Sequence, residues 1–311
     1  MRDEDRVKRH VLWRRASVVQ RRASRLDPVL RGLMWATVAG ILFANLNSIM
    51  RGLTIELSPF QTQFLRYVFG LVVMLPLVVR AGLAAYRPKS IRGQFLRGGI
   101  HTIALCMWFT AIPHIGLADT TAIGFTGPIF IMIGAALVLG ETMRWERWLA
   151  ALIGFAGVLI VVAPKLAATG GGYSLLMLAS SPVFAASFLI TKSLTRYERA
   201  EVIVLWQSIT ILLLSFPLAV MNWHTPTAWH WFLFLVCGLL GSVGHYCMAR
   251  SFSIADISAT QSVKFLDLVW ASLLGWIVFE DTPSRSTLIG GVVICASTIW
   301  IAQREARGTM R

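Results

Sequence analysis

Two oppositely charged residues, Lys264 and Asp267, lie within the long apolar run from Ile254 to Phe279. On an α-helix, residues three positions apart share one face, so these two side chains are close enough to interact. If the run spans a bilayer, each charge at its centre costs about 2.5–3.5 kcal/mol, which favours an inward-facing position. Two hypotheses follow. The charges form a polar patch in a central cavity that contacts a substrate or a coupled proton, or they form a structural ion pair that joins two helices.

Arg66 is a second candidate, because it falls inside another apolar run beside Tyr67. A buried guanidinium binds carboxylate or phosphate groups through paired hydrogen bonds, so Arg66 could clamp an anion. A structural contact with a neighbouring helix is the alternative, and the sequence supports both interpretations.

Other polar side chains interrupt the apolar runs. His101 titrates near neutral pH and is the candidate for relaying a coupled proton. We expect Thr126, Gln261 and Trp270 to line the same cavity as Lys264, where an aromatic ring can stack on a planar substrate. Structural roles, as hydrogen-bonding partners between helices or caps at helix ends, are expected for Asn45, Asn47, His245, Glu141 and Glu280.

Signatures of enzymes and of metal sites are absent from the sequence. There is no P-loop pattern, no HExxH and no GxSxG. The cysteines are spaced like neither a disulfide framework nor a metal site: Cys106, Cys237, Cys247 and Cys295. ATP-driven transport by this chain is therefore unsupported, and we expect neither a cofactor nor a metal.

The elements that must position these residues are long apolar helices. The chain has 311 residues, 56% hydrophobic and 14% charged, whereas soluble domains have roughly 25% charged residues. Apolar stretches of about 20 residues are typical of membrane-spanning helices. The stretches that meet this criterion are 31–49, 60–79, 95–113, 119–139, 147–163, 173–191, 201–221, 229–249, 256–279 and 287–302. We therefore predict an all-α integral membrane protein with ten transmembrane helices.

Basic residues are concentrated on one side of this predicted bundle, and the net charge is +14. Ten of them lie in the tail that leads into the first helix. Five more are assigned to the connection between the second and third helices: Arg80, Arg87, Lys89, Arg92 and Arg97. By the positive-inside rule, both termini are then cytoplasmic. The basic charge thus indicates topology and attraction to anionic lipid headgroups, and we expect no nucleic-acid partner.

The two halves of the chain resemble each other. The segment from Ile49 to Leu77 aligns without a gap on the segment from Ile190 to Leu218, and ADTTAIGFTGPIF (118–130) aligns with SATQSVKFLDLVW (258–270). With five predicted helices in each half, the second half must enter the membrane from the opposite side. Inverted repeats of this kind are typical of secondary transporters, which bind substrate near the midplane between the halves. Lys264 and Asp267 correspond to Gly124 and Gly127, so the charges are not part of the repeated scaffold.

The motifs AIPHIGLADTTAIGFTGPIF and LGETMRWERWLAALIGFAGVLIVVAP in the first half resemble an EamA domain of the drug/metabolite transporter superfamily. The second half resembles it through RSFSIADISATQSVKFL and LLGWIVFEDTPSRSTLIGGVVI, and LRYVFG resembles the family's arginine-aromatic pattern. The resemblance implies a ten-helix, inverted-repeat carrier for small organic metabolites. One departure is Leu268, which stands where the family often has a proline, as Pro128 does in the first half.

We expect a secondary transporter that moves an amino-acid-like, nucleoside-like or vitamin-like metabolite across a bacterial inner membrane by alternating access. Its driving force would be a proton gradient or the substrate's own gradient, and two copies could form a homodimer. The alternatives are a non-transporting membrane scaffold or sensor, and a lipid-modifying membrane enzyme. The expected segments are a basic cytoplasmic tail (1–29), two EamA-like repeats (30–165 and 170–303) and a short cytoplasmic tail (304–311).

Overall fold

The computed structural model describes residues 27–114, 123–124, 126–141, 144–166, 171–221, 223–264, 266–279 and 285–308. Within these ranges every regular element is helical, which confirms the all-α prediction. The α-helices, numbered in chain order, are α1 (Pro28–Glu56), α2 (Pro59–Ala81), α3 (Ile91–Ala111), α4 (Gly127–Leu139), α5 (Trp145–Leu166), α6 (Gly171–Leu194), α7 (Ala200–Met221), α8 (Ala228–Ile254), α9 (Ile257–Lys264), α10 (Leu266–Phe279) and α11 (Arg285–Gly308). Short 3-10 turns follow α2 and α3, at Leu83–Tyr86 and Ile112–His114.

Six helical segments of the described chain are long and apolar enough to cross a membrane: Pro28–Glu56, Pro59–Ala81, Ile91–His114, Leu175–Leu194, Ala200–Met221 and Ala228–Ile254. Because a bilayer core of about 30 Å needs about 20 helical residues, these segments make the chain an integral membrane protein. Large apolar side chains cover the outside of the bundle, among them Leu137 at 81% exposure and Val79 at 73%. Lipid tails can solvate such a surface, whereas water cannot do so without cost.

Local sequence signals begin several of these helices. Oδ1 of Asp27 accepts from the backbone N–H of Val29 at 2.7 Å, and Pro28 occupies the first turn of α1, where its missing N–H costs nothing. At α8, Thr227 and His230 exchange hydrogen bonds as a capping box.

The fourth helix is shorter than the predicted span of 119–139. Among the described residues, α4 begins at Gly127, after a turn at Thr126 whose carbonyl accepts from the N–H groups of Ile129 and Phe130. Pro128 favours this start, because proline lacks a donor and is best accommodated in the first turn of a helix. Residues 119–122 and 125 of the predicted span lie outside the described ranges.

The ends of the helices meet in two layers, which we name the Asp27 end, where α1 begins, and the Glu56 end, where α1 finishes. At the Asp27 end, Oγ of Ser251 in α8 donates to the carbonyl of Gly32 in α1 at 2.7 Å. There too, Oε1 of Glu198, which follows α6, accepts from the backbone N–H of Ser90, which precedes α3.

The Glu56 end is joined by fewer described contacts. Nε2 of His230, at the start of α8, lies 3.0 Å from Oε2 of Glu56. The side chain of Gln61, at the start of α2, exchanges two hydrogen bonds with the backbone of His224. Consecutive long helices therefore alternate in direction, and α1 and α8 are antiparallel.

The helix pairs follow a regular scheme. Several contacts occur in matching pairs. The contact of α1 with α8 matches that of α6 with α3, and the contact of α2 with α8 matches that of α7 with α3. The contact of α4 with α6 matches that of α9 and α10 with α1. The pairs α2 with α7, α5 with α11, and α4 with α9 complete the set. If α9 and α10 are counted as one span, the helices form ten spans. Replacing spans one to five by spans six to ten, and the reverse, then gives the same set of pairs. Pro76 and Pro217 also correspond, because each lies 17 residues after the first residue of its helix, Pro59 or Ala200.

Candidate functional site

A cavity of about 250 Å³ lies between the two halves of the bundle, lined by α1, α2, α3, α4, α6, α8, α9 and α10. Its titratable or charged lining residues are Arg66, His101, His245, Lys264 and Asp267. In α1 the lining extends from Phe43 to Met50, and from α3 it continues to Ile112 in the following 3-10 turn, so the cavity occupies the middle of the bundle and its Glu56 side.

Lys264 and Asp267 contact each other and also line this cavity. Nζ of Lys264 lies 3.2 Å from Oδ2 of Asp267, and the side chains are 21% and 27% exposed. The ammonium group also lies 5.6 Å from the ring centroid of Phe43, a cation–π distance. The two hypotheses for this pair are therefore compatible in geometry, since a paired charge can face a polar cavity.

The carboxylate of Asp267 fits against α1 only because residue 40 is a glycine. A Cβ atom at Gly40 would overlap Oδ1 of Asp267. Gly241 in α8 likewise leaves space for Arg66, because a Cβ there would lie 2.9 Å from Nη2 of the guanidinium. Asp267 and Arg66 thus each occupy space that a glycine of a neighbouring helix leaves free.

Arg66 is 5% exposed, and uncharged groups hold it. Its Nη1 donates to the hydroxyl of Tyr67 at 3.1 Å, and its Nη2 lies 3.4 Å from Nε2 of His245. A guanidinium carries only donors, so Nε2 of His245 is the acceptor in this contact. No carboxylate of the described residues forms an ion pair with Arg66, and its Nε has no hydrogen-bond partner among them. Arg66 thus contacts a neighbouring helix through His245 of α8 and also lines the cavity, so both hypotheses for it are compatible with the geometry.

The structure corrects the position of a second buried arginine, Arg97. The sequence pattern assigns it to the connection between the second and third helices. Because α3 begins at Ile91, Arg92 and Arg97 both lie on the helix, and Arg97 is only 2% exposed. Nη2 of Arg97 donates to Oε1 of Gln207 at 2.7 Å, and Nε donates to Thr191. The spacing of Arg97 and His101, four residues apart, puts both on one helix face and is the signal that could have found this residue.

Gln207 connects the two arginines. While its Oε1 accepts from Arg97, its Nε2 lies 3.4 Å from the hydroxyl of Tyr67 and 3.2 Å from Nε2 of His245. Residues of α2, α3, α7 and α8 therefore form one buried hydrogen-bond network behind the cavity. Such networks are rigid when their members are satisfied.

His101 lies on the cavity side of this network. Its Nδ1 lies 3.0 Å from Oγ of Ser187 in α6, and the residue is 2% exposed. The ring makes edge contacts with Phe184, Phe188 and His245, at centroid distances of 5.2, 5.9 and 5.6 Å. A proton-relay role for His101 stays a prediction.

The other predicted residues differ in their positions. Gln261 and Asn47 line the cavity, and Oε1 of Gln261 has no hydrogen-bond partner among the described residues. Asn45 instead bonds the carbonyl of Ile41 in its own helix. Thr126 and Trp270 are outside the described lining of the cavity.

Of the two glutamates predicted to have structural roles at helix ends, Glu141 lies within the described residues. The carboxylate of Glu141 accepts from the backbone N–H groups of Ile257 and Ser258 and from Oγ of Ser258, and so caps α9. Glu280 lies outside the described residues. Across the described ranges, histidine, cysteine and acidic side chains form no cluster of three that could hold a metal ion.

Comparison with known proteins adds a family match. The model of the EamA-like transporter family matches residues 30–163 and 172–303. A riboflavin transporter of Rhizobium johnstonii is 32% identical over 280 residues, covering 89% of this chain and 92% of the relative. An S-adenosylmethionine uptake transporter of Rickettsia prowazekii is 27% identical over 283 residues, covering 91% and 96%. A pseudopaline exporter of Pseudomonas aeruginosa is 27% identical over 284 residues, covering 90% and 99%.

The fold is also similar to a solved crystal structure. The two superpose with a TM-score of 0.74 at 16% sequence identity, over 91% of this chain and 99% of that chain. At 16% sequence identity, this similarity shows that the two proteins share a fold.

Proposed function

Because this chain belongs to the EamA-like transporter family, we propose that it is a secondary transporter that carries a small organic metabolite across the bacterial inner membrane. The observation that carries the proposal is the charged cavity between the two halves, at the depth where inverted-repeat carriers bind substrate. The relatives named as riboflavin, S-adenosylmethionine and pseudopaline transporters support a small organic cargo. They differ in cargo and in direction, so neither is transferred to this chain.

The proposed architecture is ten membrane spans in two inverted repeats, with α9 and α10 together forming the ninth span. The exchange scheme of the helix pairs supports two equivalent halves. The opposite directions of corresponding helices support the inversion of the two halves. Helix α1 begins at the Asp27 end, whereas α6, its counterpart, finishes there with Glu198 bonded to Ser90.

The positions of the cavity and of the contacts between the halves support the proposal of alternating access. The cavity occupies the Glu56 side, while bonds between the halves close the Asp27 end. Those bonds include Glu141 to Ser258, Ser251 to Gly32, and Glu198 to Ser90. We infer that transport breaks these bonds and forms a matching set at the Glu56 end.

We propose that the Asp27 end faces the cytoplasm. Basic residues outnumber acidic ones there, including Lys89, Arg144, Arg196 and Arg250, whereas the Glu56 end carries Arg51, Lys165 and Arg285. Both termini are then cytoplasmic, and anionic lipid headgroups are partners of the basic surface. A homodimer of the chain stays a prediction.

Within the cavity, we assign substrate contact to Lys264, Asp267, Arg66 and Gln261, and coupling of a proton to His101. Thr126 and Trp270 are proposed to reach the substrate only in another conformation of the carrier. Asn45, Asn47, His245 and Glu141 are proposed to have structural roles.

The proposal is tested by uptake of pooled labelled metabolites into proteoliposomes, with and without an imposed proton gradient. The wild type is compared with the double variant Lys264→Met, Asp267→Leu, which removes the pair without leaving one charge unpaired. The matched control is Arg144→Gln, Glu146→Gln, which removes an ion pair at the Asp27 end.

We expect saturable uptake by the wild type and the control, and a loss of more than tenfold in a well-folded double variant. Retained uptake in the double variant would mean that the pair only joins helices. Absence of flux for every pool under both conditions would contradict transport and favour the scaffold or sensor hypothesis.

A further inference from the structure

The charged groups that line the cavity do not cancel. Lys264 and Asp267 neutralise each other at 3.2 Å, which leaves the guanidinium of Arg66. No described carboxylate pairs with Arg66, although it is only 5% exposed. A buried charge without a partner is unfavourable by several kcal/mol, so an anion that enters the cavity gains a strong electrostatic interaction.

Arg66 also has N–H groups that are not used in hydrogen bonds. Of the five N–H groups of a guanidinium, one bonds Tyr67 and one meets His245, which leaves three without an acceptor among the described residues. Gly241 lies against the guanidinium and holds it from the α8 side, because no side chain intervenes. A donor group that is held in place and incompletely bonded is suited to a carboxylate or phosphate.

Arg97 strengthens this preference from behind the cavity. It is 2% exposed, and it too forms no ion pair with a described carboxylate. Gln207 links it to the Tyr67 hydroxyl that accepts from Arg66. Two buried positive charges therefore act on the same part of the cavity, in a low-dielectric environment that screens them weakly.

Aromatic rings form the wall beside Arg66. Phe184 contacts His101 at 5.2 Å and Trp108 at 5.8 Å between ring centroids, and Phe188 is stacked with Phe184 at 6.3 Å. Phe43 contacts His245, the residue that meets Arg66, at 4.9 Å. Rings packed edge to face around a cavity favour a flat, conjugated ligand.

We propose that the substrate of this carrier is a planar aromatic anion whose carboxylate or phosphate binds Arg66 and whose ring lies against Phe184 and Trp108. This proposal rests on the proposed transport function and names its substrate class. Lys264 and Asp267, already paired, also line the cavity and bind polar groups of the same molecule.

The test is equilibrium binding to the purified full-length protein in lipid nanodiscs, by titration calorimetry. The probes are three pairs that share a ring and differ in charge: nicotinate and nicotinamide, indole-3-acetate and indole-3-acetamide, and flavin mononucleotide and riboflavin. The variants are Arg66→Gln and Arg66→Lys. Arg51→Gln, which removes an arginine outside the cavity lining, is the matched control.

We expect the wild type to bind the anion of at least one pair about 10- to 100-fold more tightly than its neutral partner, the range for hydrogen bonds to a charged group. Arg66→Gln should abolish that preference, Arg66→Lys should retain part of it, and Arg51→Gln should leave it unchanged. Equal binding of both partners by the wild type would overturn the proposal even if Arg66→Gln failed to fold. So would a preference that survives in folded Arg66→Gln.

The outcomes separate this proposal from the transport function. Anion-selective binding without flux in proteoliposomes would leave the site standing and contradict the carrier. Flux of another metabolite class, with no binding of any probe, would support the carrier and contradict the aromatic anion.

Discussion

At the residue scale, the position of the Asp267 carboxylate depends on an absent side chain. Oδ1 of Asp267 occupies the space beside Gly40 that a Cβ atom would fill, and Oδ2 meets Lys264 at 3.2 Å. A methyl group at residue 40 must therefore displace either the carboxylate or the helix that carries it. The same α1 helix has a glycine with free space around it, Gly52, which has no non-local atom within 4 Å of its Cβ position.

We predict that Gly40→Ala lowers uptake about tenfold, because forcing extra volume into a packed site costs about 1–3 kcal/mol and moves the carboxylate away from Lys264. Gly52→Ala on the same helix is the control and should behave like the wild type. Uptake in proteoliposomes and the thermal midpoint in detergent are the two measurements. A Gly40→Ala protein with wild-type uptake would show that the carboxylate position does not matter for transport.

At the scale of elements, one carboxylate that joins the halves accepts several of the hydrogen bonds at the Asp27 end. Glu141 follows α4, and it accepts three hydrogen bonds from the first residues of α9. Arg147 of α5 bonds the same Ser258 at 2.9 Å and lies 3.3 Å from Asp256. In the proposed mechanism, breaking this cluster separates α4 and α5 from α9, so its strength would set the balance between the two conformations of the carrier.

We predict that Glu141→Gln shifts this balance by about tenfold toward opening at the Asp27 end, because charge-assisted hydrogen bonds lose about 1–2 kcal/mol when the acceptor is neutral. The readout is the labelling rate of Ser48→Cys, a residue that lines the cavity, by an impermeant maleimide added from the Glu56 side of a cysteine-free protein. The rate should fall in Glu141→Gln and stay unchanged in Glu146→Gln. Equal rates in both variants would exclude Glu141 as part of the closure.

At the scale of the whole molecule, the proposed mechanism needs two related halves of opposite direction, so that one cavity can open to either side. The connection from α2 to α3 contains Lys89, and the equivalent connection from α7 to α8 contains Thr225. In parallel halves these two segments would lie on the same side of the membrane. In inverted halves they lie on opposite sides.

We predict that Lys89→Cys and Thr225→Cys, both at exposed positions, react with an impermeant thiol reagent from opposite sides. Thr225→Cys should be labelled in intact cells, and Lys89→Cys only after the membrane is permeabilised. The pattern follows from the basic charge at the Asp27 end and the positive-inside rule. Labelling of both in intact cells would contradict the inversion, and the reverse pattern would contradict the assigned topology.

The amino-acid sequence by itself determined the helical class, the membrane setting and the family, because these depend on composition, apolar length and order along the chain. It also pointed to Lys264, Asp267, Arg66 and His101, since a charged or polar residue in an apolar run is conspicuous without any structure. The count of ten spans and the inverted repeat stay predictions that the helix pairing supports.

Only the tertiary structure decided which of these groups meet. Arg66 contacts His245 across 179 positions of sequence, Gln207 links it to Arg97, and Gly40 makes room for Asp267. Arg97 was misassigned because a charge near a helix start looks the same in sequence whether it faces water or a neighbouring helix. Contacts of this kind depend on how helices pack around each other, and the local apolar pattern specifies which residues avoid water but not which partners they find.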